Sequence, residues 1–174
     1  MNHFDHKKDR GNKMGNNQFK KLKGFTLVEL ITVVAIISMI AIYITIEINR
    51  SNDDAKIGIA AAYLSSSVPA AISSYRARHM GNCNGIAGTS GTDALPELES
   101  RGMSDTSPWG TPVTAVWSST NSTITVSFTV PASADGTLAQ TLRANLDSSS
   151  GQFVTLPAAT IADGSAFSVT YSCA

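Results

Sequence analysis

The longest feature of the chain is an apolar run. From Phe25 to Ile48 it reads FTLVELITVVAIISMIAIYITIEI, and Leu30 to Ile46 carries no charge. As a helix, residues 25–48 measure roughly 36 Å at ~1.5 Å per residue, enough to cross a ~30 Å bilayer core. The many Ile and Val residues would suit a strand, but strands usually run about 3–10 residues. Length therefore predicts a membrane-spanning helix. Helical periodicity continues over residues 49–80, where Ile57, Ala61, Leu64, Val68, Ile72 and Tyr75 form an apolar stripe. Gly58 and Pro69 weaken this stretch. Pro69 costs ~3 kcal/mol in a helix interior, so a kink or break is expected there, helped by Ser65, Ser66 and Ser67. Arg76, Arg78 and His79 suit the negative end of the helix dipole, and Gly81 suits its stop.

After the helix the pattern changes period. Residues 81–112 read as a long loop rich in Gly, Ser, Thr and Pro, with Ser107-Pro108-Trp109-Gly110 as a turn carrying an aromatic anchor. Val113, Ala115 and Trp117 alternate with their neighbours. So do Ile124, Val126, Phe128 and Val130, with a turn at residues 119–122 between the two runs. This predicts an antiparallel hairpin with one buried face. Leu138, Leu142 and Leu146 predict a short helix over about 137–147. Residues 152–156 and 166–173 read as further strands. In the last, Phe167, Val169, Tyr171 and Cys173 share a face. The fold class predicted is α+β, with the outer half of the long helix packed on an antiparallel β-sheet.

Charge gives this pattern a direction. The 174-residue chain has 13 basic and 13 acidic residues, but they are unevenly placed. Residues 1–24 hold Lys7, Lys8, Arg10, Lys13, Lys20, Lys21 and Lys23 against Asp5 and Asp9, so the remainder is acidic. The positive-inside rule puts the N-terminus in the cytoplasm and residues 50–174 outside. The apolar run exceeds the usual ~7–15 residues of a secretory signal, and no A-x-A site follows it, which argues against a plain signal peptide. An acidic outer part without a basic stripe argues against nucleic acid as a partner. Trp109, Trp117, Phe128, Phe153 and Tyr171 are accordingly assigned to core packing rather than base stacking.

Candidate chemistry is sparse. His79 is the one histidine outside the first 24 residues, which leaves little for a metal site or a His-based triad. It is read as a helix cap. Glu97 and Glu99 are read as solvated charges. Gly85, Gly88 and Gly91 form no phosphate loop, since no Lys follows and no strand precedes them. The sequon Asn121-Ser122-Thr123 is short enough to arise by chance. No catalytic residue, metal or cofactor is expected. Glu29 stands out, because a carboxylate inside an apolar span costs at least ~2.5 kcal/mol and such residues are usually functional. Four residues into the run, it can also sit at headgroup level. Cys83 and Cys173 can form one internal disulfide, and outside the cytoplasm a bridge is expected.

The segment Gly24-Phe25-Thr26-Leu27-Val28-Glu29-Leu30 resembles the processing site of type IV pilins and their relatives, which include minor pilins and the pseudopilins of type II secretion. The shared pattern is a basic leader ending in Gly, an aromatic residue, Glu at the fifth mature position, and a long apolar helix. The resemblance implies the pilin fold, with residues 1–24 as a cleaved cytoplasmic leader and 25–48 as the transmembrane and filament-core part of the helix. Residues 49–80 would be its outer half, and 81–174 the head with its C-terminal disulfide, a common feature of the family. It also implies a prepilin peptidase that cuts between Gly24 and Phe25 and N-methylates Phe25. Glu29 would then pair with the N-terminal amine of a neighbouring subunit. The implied partners are other copies in a helical filament, the pilus assembly machinery and, before assembly, the inner membrane. The leader length is like that of the type IVb group, whereas Phe at the first mature position is not typical of that group. Residues 25–57 lack the proline found in many type IVa pilins.

Two rivals differ in what they predict. A type II secretion pseudopilin would share the N-terminus but give no sheared surface filament at native expression, and a minor pilin is a further alternative. A single-pass membrane protein with a periplasmic binding or enzymatic domain would keep an uncut N-terminus or be cut elsewhere.

Overall fold

The computed structural model describes residues 24–88, 91–133, 135–148 and 150–173. The chain divides into two units between Tyr43 and Ile44. The basic leader assignment falls on residues 1–23, outside the described residues, apart from its last residue, Gly24.

The first helix, α1, runs from Leu27 to Ala62. In the first unit every described residue is exposed, including each large apolar side chain from Phe25 to Tyr43. The continuous helical run Leu27–Arg78 contains a stretch of mean hydropathy 2.6, long and apolar enough to cross a membrane. Two hydroxyls in its apolar part are satisfied by the helix itself. Thr32 Oγ1 donates to the Glu29 carbonyl at 2.9 Å, and Ser38 Oγ to the Val34 carbonyl at 2.8 Å. Such bonding lets Ser and Thr sit in a lipid-facing helix without an orphaned polar group.

In the second unit α1 gives way to a π-helical turn, Tyr63–Ser67, followed by α2, Val68–Arg78. The expected break at Pro69 is thus corrected. The α-register is interrupted, but the helix continues. Val68 N–H donates to the Tyr63 carbonyl, five residues back. Proline has no N–H, so the Leu64 carbonyl has no helical donor at either residue 68 or residue 69. Tyr171 supplies the missing donor, its hydroxyl lying 2.7 Å from the Leu64 oxygen in a buried site. The wide turn and the tyrosine together absorb the proline. Gly58 causes no interruption; it is exposed, with open space beside it. The buried helix face is close to the predicted stripe, though Ala60 is fully buried where Ala61 is only half-buried.

The helix ends at His79, whose Nδ1 lies 2.9 Å from the Tyr75 carbonyl and whose ring stacks on Tyr75 at 3.8 Å. Met80 and Gly81 take positive φ, 55° and 84°, and Gly81 N–H returns to the Arg76 carbonyl at 2.9 Å. The stop therefore uses Met80 as well as the predicted glycine.

The region 81–112 is not all loop. It contains a short helix, α3, Leu95–Glu99, with Pro96 in its first turn and Leu98 fully buried. Leu95 N–H donates to Asp93 Oδ1 at 3.0 Å. The run is too short for periodicity to reveal. Its Glu97 is not a free solvated charge: Arg101 pairs with it at 2.9 Å and lies over the Tyr75 ring at 4.9 Å. Ser107 to Gly110 is the expected turn, closed by Gly110 N–H to the Ser107 carbonyl at 2.8 Å, with Trp109 stacked toward Phe128 at 6.2 Å.

Three strands form one antiparallel sheet in the order β1-β2-β3: β1 Thr114–Ser118, β2 Thr123–Thr129 and β3 Ala166–Ser172. Register puts Val126 opposite both Ala115 and Val169, and Phe128 opposite Phe167. Ala115, Trp117, Ile124, Val126, Phe128, Phe167, Val169 and Tyr171 face a single core that also holds the inner faces of α1 and α2. The other face is polar, with Thr125 bonded to Thr170 and Ser127 to Ser168 across the strands. Residues 152–156 do not form a sheet strand. They give a 3-10 turn, Ser150–Gln152, and one bridge, Thr155 to Thr170. Pro157 lacks the N–H that a longer pairing would require.

Helix α4, Leu138–Asp147, buries Leu138, Ala139, Leu142 and Leu146. Thr137 does not cap it with its side chain. The cap comes from Asp163 instead. Its carboxylate accepts the Ala139 N–H at 2.8 Å, the Leu138 N–H at 3.3 Å, and both the N–H and the hydroxyl of Ser133. Burial pushes the Asp163 carboxyl up, but these four bonds together outweigh it and hold it below the usual range.

Candidate processing and assembly site

The residues singled out at the N-terminus lie in the first unit. Gly24 and Phe25 precede the helix, and Phe25 is 86% exposed. A cut between them would meet accessible chain ahead of the helix rather than a helical turn. The helix itself starts with a capping box. Thr26 accepts the first helical bond from Leu30 N–H at 3.2 Å, and its Oγ1 accepts Glu29 N–H at 3.2 Å. Glu29 Oε2 in return accepts the Thr26 N–H and the Thr26 hydroxyl, both at 2.9 Å. This reciprocal arrangement satisfies two amides that would otherwise be orphaned at a helix start. The spacing Thr-x-x-Glu is the signal for it in the sequence. Both bonds to Thr26 use one oxygen of Glu29, so the carboxylate keeps capacity to accept another donor.

The box has a chemical consequence. It uses the amide of Thr26, not that of Phe25. Hydrolysis of the Gly24–Phe25 bond would free an ammonium at Phe25 and leave the box intact. Methylation of that amine would keep its positive charge.

The other singled-out residues lie in the second unit. Cys83 and Cys173 are both buried and are joined in a disulfide, with Cα atoms 5.7 Å apart and a sequence separation of 90. Cys173 N–H also donates to the Ser122 carbonyl at 2.8 Å. The bridge ties the end of β3 to the chain just after α2. Trp117, Phe128 and Tyr171 are buried, while Trp109 and Phe153 pack against the core from its margin. Among the described residues, no group of three or more His, Cys, Asp or Glu side chains is placed to hold a metal ion. Burial pushes the Tyr63 phenol up to about 12, helped by the charges of Asp105 and Glu99, and pushes Tyr171 up as well.

Residues 19–45 match the family described as the prokaryotic N-terminal methylation motif. No curated protein and no solved structure shows a significant match to the chain. The motif, joined to a long N-terminal helix and a three-stranded antiparallel sheet, supports assignment of the chain to the type IV pilin family. The motif indicates a pilin-like or pseudopilin structural subunit. It implies processing by a prepilin peptidase, and it fits a membrane-anchored precursor.

Proposed function

We propose that this chain is the structural subunit of a type IV pilus. It is cut between Gly24 and Phe25, N-methylated at Phe25, and polymerised into a surface filament that serves adhesion, aggregation or conjugative mating. The observation that carries the reading is the coincidence of the methylation motif with an apolar stretch of helix that is exposed on every side over residues 27–48. Before assembly, lipid covers that surface, with the N-terminus in the cytoplasm and the head outside. In the filament, neighbouring helices replace lipid. Lipid tails are as apolar as Ile, so this exchange gains little from the hydrophobic effect and needs packing and polar pairing to favour it.

Glu29 supplies the pairing. A lone carboxylate in an apolar bundle is costly, and an ammonium beside it offsets that cost. The Phe25 amine of an adjacent copy is the natural donor, because the capping box leaves the carboxylate able to accept it. Axial register then follows from where that amine must lie. Extraction from the membrane is the work of an assembly machine that supplies energy.

The test is filament recovery. Cells expressing the chain are sheared, and the released material is examined for filaments containing it. Filaments at native expression support a pilus subunit. Their absence, with correct cleavage, points to the type II secretion pseudopilin. An uncut chain points to the signal-anchored membrane protein.

A further inference from the structure

The second unit carries charges of opposite sign outside any ion pair among the described residues at the two ends of its helical run, although Asp54 is near enough to Arg50 to feel its charge. At one end a groove of about 410 Å³ opens beside α1, lined by Ile46, Arg50, Asp53, Asp54, Ile57 and Asp135 among others. The cation in the groove is already engaged, since Arg50 pairs with Asp135 at 3.0 Å. Asp53 and Asp54 form no ion pair among the described residues. The groove therefore holds three carboxylates against one guanidinium, beside the exposed side chain of Ile46.

At the other end, Arg78 lies exposed in the last turn of α2, with no ion-pair partner among the described residues. Twenty-four residues of helix separate it from Asp54, which is roughly 36 Å at ~1.5 Å per residue. Arg78 cannot reach the groove of its own chain. A second copy, displaced by about that distance along the helix direction, would bring it there.

We propose that the acidic groove seats Arg78 of a second copy of this chain. The inference deepens the filament reading and rests on it. Its contribution is register and partner choice more than raw affinity, as is usual for charges at the rim of an interface. An offset that set two acidic grooves or two cationic helix ends together would bring like charges into repulsion. The pairing thus selects one axial offset between heads, just as Glu29 selects one between helix starts.

The test uses the full chain in cells that assemble it. Asp54→Lys and Arg78→Glu each lower the yield of sheared filament at least fivefold, while cleavage at Gly24–Phe25 is unchanged. The double variant returns to within twofold of wild type. In parallel, the double substitution Asp54→Cys with Arg78→Cys, oxidised with diamide on sheared filaments, gives a ladder of linked chains on a non-reducing gel. Disulfides need Cα atoms within about 7 Å, so those bonds must join different copies. Single-charge variants that assemble normally, a double variant that fails to recover, or wild-type filaments whose cysteine variant gives no ladder would each overturn the pairing. If the wild-type chain is cleaved but never recovered as filament, the filament reading fails and the pairing falls with it.

Discussion

Replacing Tyr171 by Phe removes one hydroxyl and leaves the ring in place. The hydroxyl donates to the Leu64 carbonyl at 2.7 Å in a buried site. That oxygen has no second source of hydrogen bonds within the helix, because Val68 N–H serves Tyr63 and Pro69 has none. Leu64 is fully buried, so water does not readily replace the donor. The cost is that of an orphaned buried acceptor, about 1–3 kcal/mol, rather than the ~0.5–1.5 kcal/mol of an average net hydrogen bond. Tyr63→Phe gives a useful contrast. Its hydroxyl donates to the Ser104 carbonyl at 2.8 Å, on an exposed loop residue, and should cost less. The sharper test adds Pro69→Ala. This restores an N–H at residue 69, which can donate to Leu64, so Tyr171→Phe should cost less in that background. Denaturant unfolding of the detergent-solubilised chain with the disulfide intact, followed by near-ultraviolet circular dichroism, measures all four members of the cycle. A cost for Tyr171→Phe within 0.5 kcal/mol of zero would refute the orphaned-acceptor argument, as would strict additivity with Pro69→Ala.

Other consequences are open to measurement. Asp163→Ala removes the only side-chain cap described for α4 and should cost about 0.5–2 kcal/mol, or somewhat more for four lost bonds. Because its folded pKa is depressed, the wild-type contribution is present above the unfolded value of 3.8 and is lost as pH falls through the folded value. An acid titration should show that loss, and Asp163→Asn should flatten it. Tyr63 and Tyr171 act in the opposite direction. Their folded pKa values are raised, so stability is held below the unfolded value of 10 and declines as pH rises beyond it. Tyr171→Phe should blunt that alkaline decline. Cys83→Ser with Cys173→Ser opens a ring of about 90 residues and should cost about 4.5 kcal/mol in the chain-closure picture, read as a fall in denaturation midpoint. Glu29→Gln keeps acceptors for the capping box but loses the charge, whereas Glu29→Val loses both. Both variants should insert, and both should assemble poorly if charge pairing drives assembly; normal assembly of Glu29→Gln would assign Glu29 to capping alone.

Much of the fold was readable because it rests on local periodicity. Alternation in Ile124–Val130 and Phe167–Cys173 located β2 and β3 and the faces that bury. The leucines at residues 138, 142 and 146 located α4. What was not readable depends on partners distant in sequence. Nothing near Pro69 announces that Tyr171, about a hundred residues later, will satisfy the carbonyl that proline leaves bare. Nothing near Thr137 announces that Asp163 will cap the helix beginning there. The pairing of residues 152–156 failed as a strand because one bridge and a proline limit it, a constraint that alternation alone does not encode. At the N-terminus the reverse held. Thr26 and Glu29 are three residues apart, and their capping box was legible from spacing once helix starts were considered.

Mass spectrometry of filaments sheared from cells tests the central claim most directly. The account predicts a chain that begins at Phe25, carries one methyl group on its amine, and retains the Cys83–Cys173 bond. An intact N-terminus at Met1, or a cut anywhere other than Gly24–Phe25, would contradict it.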